Sequence, residues 1–249
     1  MNGSVSRRVF VGSLAGAGVG AVGATSFDLS LSAQRTSPSP LLREIREQLK
    51  NALGKMQNGQ ALGARQAATV IRVYASTVND SQLQSVLRKA NRQQLLTAEM
   101  NHAELARQAK ELGVDPSRLP PHSLDRVGQE AALDRLIKEG LSPFMRSVAD
   151  YVDGIAERME RLERRSGGAV ALQVALRQPI PDHVDCGNCD REKEQVDTVL
   201  QIATVTCAAA AVFPLLIEAC AVASATYVTF YSAFAICLAI VAFCNAYYN

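Results

Sequence analysis

His183-Val-Asp-Cys186-Gly-Asn-Cys189 is the place in this 249-residue chain where residue types and spacing could support chemistry. An imidazole and two thiols two residues apart offer three of the four ligands of a tetrahedral metal site. The Cys-x-x-Cys pair is also the spacing of a redox dithiol, although that use expects a strand–helix–strand context, which is missing. If the segment leaves the cytosol, the same pair can begin a disulfide framework. All six cysteines, Cys186, Cys189, Cys207, Cys220, Cys237 and Cys244, lie beyond Asp182. The four after Cys189 are embedded in apolar, helix-like sequence, so a second compact ligand pair and an obvious fourth ligand are both missing.

Geometry constrains the disulfide reading. Cys237 and Cys244 share a helix face, but seven residues at ~1.5 Å each is about 10 Å, beyond the roughly 7 Å at which α-carbons can be bridged. Each must look across to another element. Pro214 is the strong helix breaker after the charged patch Asp190–Asp197. If the chain reverses there, residues equidistant from the turn become neighbours. The nested set is then Cys207–Cys220, Cys189–Cys237 and Cys186–Cys244, one of about fifteen connectivities open to six cysteines.

These readings depend on what carries the segment and where. Arg7 and Arg8 are the only charges before Asp28, and Val9 to Val22 is a mildly apolar run rich in glycine and alanine. Val22-Gly23-Ala24 supplies small residues for cleavage after Ala24, with Leu31-Ser32-Ala33 as a second candidate. This is the layout of a signal peptide, not of a spanning helix. Ser6-Arg7-Arg8-Val9-Phe10 resembles a twin-arginine signal, which implies the twin-arginine export machinery as a partner and a prokaryotic source. Residues 25–40 form a Ser/Pro-rich linker.

From 41 to 165 the spacing becomes helical. Leu42, Ile45, Leu49, Leu53 and Met56 line one face; Ala67, Val70, Ile71, Tyr74 and Val78 line a second helix. Asp80 or Ser81 caps a third that runs to Leu112 and stops at Gly113. Within it Leu95, Ala98, His102, Leu105, Ala109 and Leu112 make a coiled-coil-like seam. Pro116, Pro120 and Pro121 stiffen a loop, and Ser123 caps a helix from there to Glu139, with Gly140 ending it. Ser142-Pro143 starts the clearest helix of all, with Met145, Val148, Val152, Ile155, Met159 and Leu162 in unbroken steps of three and four. Glu157–Arg161 and Glu160–Arg164 have the i,i+4 spacing of helix-surface ion pairs. Short loops between such helices favour antiparallel neighbours. Residues 166–181, with Ser166-Gly167-Gly168 and Pro179-Ile-Pro181, form a linker into the tail, 182–249.

Several functions are excluded or left without support. The net charge of +2 hides a split, −5 from Asp182 onward and +7 before it, with no basic block and no aromatic–basic interleaving for nucleic acid. No phosphate loop or dinucleotide fingerprint occurs. His102 in a seam reads as a register residue, and His122 beside prolines as a solvated one. No catalytic residue and no cofactor is read.

Thr198 to Ile217 is a run of twenty uncharged residues, and Ala219 to Asn249 is thirty-one more, with Glu218 between them. Either run could cross a ~30 Å hydrocarbon layer. A twin-arginine signal on Arg7 and Arg8, a long polar intermediate region, and an apolar C-terminal segment opening on Cys186 and Cys189 and continuing with Cys207, Cys220, Cys237 and Cys244 together resemble the halocin-type bacteriocin precursors. The resemblance implies a C-terminal antimicrobial peptide preceded by a pro-segment that also serves as immunity protein.

The expectation is therefore an all-α chain: a helical bundle or long helical hairpins, followed by an apolar, disulfide-linked helical hairpin. Its function would be that of an exported, non-enzymatic precursor with a membrane-active tail, found in the periplasm or medium and meeting membranes through that tail. Two other readings stay open. One is a membrane-anchored periplasmic interaction bundle with one or two C-terminal spans, able to self-associate through its seams. The other is an exported metal or redox protein centred on His183, Cys186 and Cys189.

Overall fold

The computed structural model describes residues 39–97, 102–119, 125–166 and 189–248. Within them the fold is all-α, with nine helices and no strand. Helix α1 (Pro40–Gln57) opens at Ser39, whose Oγ accepts the Leu42 N–H at 3.2 Å, with Pro40 at the first helical position. There its missing N–H costs nothing. The predicted stripe Leu42, Ile45, Leu49, Leu53 and Met56 is buried. Helix α2 (Ala61–Thr77) returns along it after a turn at Gly59, φ 76°. The two backbones meet at Gly63, where a Cβ would stand 2.5 Å from the Met56 amide nitrogen and 2.6 Å from the Ala52 carbonyl oxygen. No larger residue fits there without parting the helices.

The single helix expected from Asp80 or Ser81 to Leu112 is not formed. The chain gives α3 (Asp80–Lys89), α4 (Arg92–Thr97) and α5 (His102–Glu111). The first break is at Ala90, whose ψ of 152° is extended. Asn91 then supplies a new start, its Oδ1 accepting the N–H groups of Gln93 and Gln94. An asparagine mid-pattern favours such a cap over helix continuation. Asn79 is the cap of α3, leaving Asp80 free for another task. A 3₁₀ turn, Pro116–Arg118, follows α5 after Gly113, φ 76°. Helix α6 (Arg126–Glu139) is capped by Asp125, not by Ser123: the Asp125 carboxylate accepts from Val127 and Gly128.

Helix α7 (Leu141–Ser166) is antiparallel to α2 and packs along it. Its seam residues Met145, Val148, Val152, Ile155 and Met159 are all buried. Its N-terminus is not capped by Ser142. Gly140 bends the chain at φ 90°, and the Asp80 carboxylate, 61 positions away from Leu141, accepts the N–H groups of Leu141 at 2.7 Å and of Ser142 at 3.2 Å. A Cβ on Gly140 would lie 2.5 Å from that carboxyl carbon. Along the α2–α7 margin Arg65 reaches Asp153 and Glu160, and Arg72 reaches Asp150 and Asp153, at 2.7–3.2 Å. Glu160 therefore faces α2 through Arg65, in place of the expected pairing with Arg164.

The tail forms two long helices, α8 (Asp190–Val212) and α9 (Ile217–Tyr248), joined by a 3₁₀ turn at Pro214–Leu216. The reversal falls at Pro214. The hairpin is not a lobe beside the bundle: its buried side chains and those of the middle helices make one core. Helix α9 runs against α8, α7, α1, α5 and α2, while α6 and α4 cover α8.

Candidate functional site

The hairpin is held by two covalent bonds. Cys207 and Cys220, flanking the turn, are disulfide-bonded with their α-carbons 4.5 Å apart. Cys189, at the cap position of α8, is bonded to Cys237 with α-carbons 6.5 Å apart. These are two of the three pairs that reversal at Pro214 places together. The third, Cys186–Cys244, lies outside the described residues, as do His183, His122, Arg7, Arg8 and the His102 side chain. Because its sulfur is in a disulfide, Cys189 has no thiolate to give a metal, so the His183, Cys186, Cys189 ligand set is not formed as expected. Among the described residues no other cluster of histidine, cysteine or carboxylate side chains could hold a metal ion.

Both bonds begin and end inside the tail. Among the described residues no disulfide joins the middle helices to the hairpin, which they hold mainly by packing. Each tail helix is long and apolar enough to cross a membrane by length and composition, yet 72% and 78% of the two stretches are buried inside the molecule. Every residue from Cys220 to Phe230 is buried, with Tyr227 and Phe230 among the most enclosed large side chains. Each such side chain contributes about 1.5–3 kcal/mol relative to exposure. The arrangement keeps a membrane-length hairpin out of water.

Four hydroxyls of the hairpin bond back to its own backbone, whereas the buried Gln201 Oε1 and Tyr227 hydroxyl have no hydrogen-bond partner among the described residues. Thr204, Thr206, Thr229 and Ser232 each donate to the carbonyl four residues earlier, at 2.7–2.9 Å. The Ser224 hydroxyl lies 3.5 Å from Cys207 Sγ. An apolar helix that satisfies its own hydroxyls this way suits either a protein core or lipid, where every unpaired polar group is costly.

Helix α7 meets the hairpin at the second staple. Arg158 Nη1 donates to Cys237 Sγ at 3.1 Å, and the Tyr151 ring lies 4.7 Å from that of Phe230. Burial pushes the Tyr151 phenol up, the Glu192 charge adds to this and Arg158 opposes it. Tyr74, at the turn end, is raised for the same first reason, with Arg46 opposing and Glu218 adding. Both phenols therefore stay neutral at ordinary pH. Sequence reading missed Arg158 and Tyr151, since flanking positions of an amphipathic helix carry no sign of what they will meet. Asp80 was legible as a cap, but of the wrong helix.

The chain matches no protein-family model, no curated protein and no solved structure.

Proposed function

We propose that the chain is an exported, non-enzymatic precursor. Its C-terminal hairpin is a disulfide-stapled, membrane-active, bacteriocin-like peptide, and the helical middle is the pro-segment that sheathes it. The observation that carries this reading is the enclosure of the hairpin: the segment best suited to lipid is the one most completely covered, and it is covered by the chain's own preceding helices. That is what a carrier of a membrane-active peptide requires and what an anchored bundle does not, because helices packed in this core cannot at the same time span a bilayer. The two disulfides fit an oxidising compartment. All six cysteines lie in the tail, so the chain running through the linker is the sole covalent tie between sheath and hairpin.

The test is dye release from lipid vesicles by the oxidised full-length chain, before and after limited tryptic cleavage in the linker, with intact mass before and after reduction. The uncut chain is expected to leave vesicles sealed, and the cut chain to open them. The stapled tail fragment should gain alkyl groups only after reduction. Vesicles that stay sealed after verified cleavage and separation of the tail would sink the reading. So would a full-length chain found only as an integral membrane protein.

A further inference from the structure

The turn of the hairpin is not sheathed. Beyond the Cys207–Cys220 staple, Val212 and Leu215 are 43% and 55% exposed, and Ala211 and Pro214 are exposed with them. Leu41, at the start of α1, is 46% exposed and lines the same cleft of about 210 Å³ as Leu215. From Thr198 through Ile217 the chain has no charge. The turn is also economical in backbone polarity: Pro214 has no N–H, and the N–H groups of Phe213 and Leu216 are bonded to Ala209 and Phe213 at 2.8 and 2.9 Å.

We infer that this apolar tip is the surface through which the folded precursor first touches a lipid bilayer. The inference rests on the proposed function and adds the site and direction of contact. Two observations select lipid as the occupant. The tip is continuous with two helices of membrane-crossing length and composition, so a layer that accepts the tip can accept the helices behind it. The Cys207–Cys220 staple lies directly behind it, so the two helices advance together. Glu218, exposed and three residues past Leu215, stays at headgroup level in a shallow contact.

The experiment is flotation of the oxidised full-length chain with vesicles of phosphatidylethanolamine and phosphatidylglycerol. Wild type is compared with Leu215→Asp and with Leu62→Asp. Leu62 is 58% exposed but sits by the far end of α1, roughly 25 Å from the tip. Matching thermal unfolding midpoints establish that both variants fold. Leu215→Asp is expected to lower the partition coefficient at least about tenfold, since it replaces an inserted leucine with a charge. Leu62→Asp should leave it unchanged. Equal partitioning of the two variants would place the contact elsewhere, the N-terminal run included, and overturn the inference; so would a wild-type chain that does not float. If that precursor fails to float but its separated tail still releases dye, the tip contact is wrong and the sheathed-peptide reading stands.

Discussion

Helices α7 and α9, 26 and 32 residues long, are built on opposite rules. Helix α7 has a buried stripe through Met145, Val152 and Met159 and a charged margin through Asp150, Asp153 and Glu160. Its sequence states which side goes in. Helix α9 has no such sides: it is buried all round over Cys220–Phe230, and its Thr229 and Ser232 hydroxyls bond to its own backbone. Nothing in its pattern fixes its rotation. Two staples and a wall of other helices fix it instead. A two-faced helix carries its own address, whereas a one-faced helix has to be held in place.

The sharpest way to break this comparison is an aspartate scan. On α7, Arg161→Asp should change stability by within about 0.5 kcal/mol, as surface changes do, while Val152→Asp is severe. On α9, Ala223→Asp, Val228→Asp and Thr229→Asp point in different directions, about 100° or more apart around the helix, and should all be severe. Each buries an unpaired charge at several kcal/mol, against a net stability of about 5–15 kcal/mol. Urea midpoints would show it, and one tolerant direction on α9 between residues 220 and 230 would end the contrast.

Removing the staples tests the holding directly. Cys189→Ser with Cys237→Ser frees a separation of 48 residues, and Cys207→Ser with Cys220→Ser frees one of 13. Loop entropy assigns these losses about 4 and about 3 kcal/mol. Calorimetry should rank them in that order, and the reverse ranking would mean the tip staple holds more than chain entropy. Asp80→Ala comes next. It strips the cap from α7 and is expected to cost about 1–2 kcal/mol, where Asn79→Ala should weaken only α3.

The margin of α7 should matter least. Arg72→Ala is expected to stay within about 1 kcal/mol, because exposed pairs are weak. The neighbouring pair has a pH signature. Hydrogen bonding to Arg65 holds the Glu160 carboxyl below its ordinary value of 4.5. Its contribution is complete above that value and is lost as the pH falls through the lowered one. The gap in unfolding midpoint between wild type and Arg65→Ala should therefore be present at pH 7 and shrink in acid.

What could be read in advance obeyed the same division. The stripes of α1 and α7 and the stops at Gly113 and Gly140 are local, so spacing and residue type disclosed them. The pairings Cys207–Cys220 and Cys189–Cys237 were accessible because a hairpin about Pro214 is almost a one-parameter object. The break at Ala90 escaped because Asn91 is a weak signal against a good apolar pattern. The reach of Asp80 to Leu141, the turn of Glu160 towards Arg65, and the burial of the tail in the middle are tertiary. In each of these the deciding partner is far away in the chain, and no window of sequence contains both.

That the disulfides close only on the tail has a consequence for the order of the unfolding reaction. Intact, the chain opens and closes as a single molecule, indifferent to concentration. Cut once in the linker, it becomes a complex of two chains, and its stability acquires a concentration term. Dilution alone would then favour separation of the hairpin from the helices that cover it.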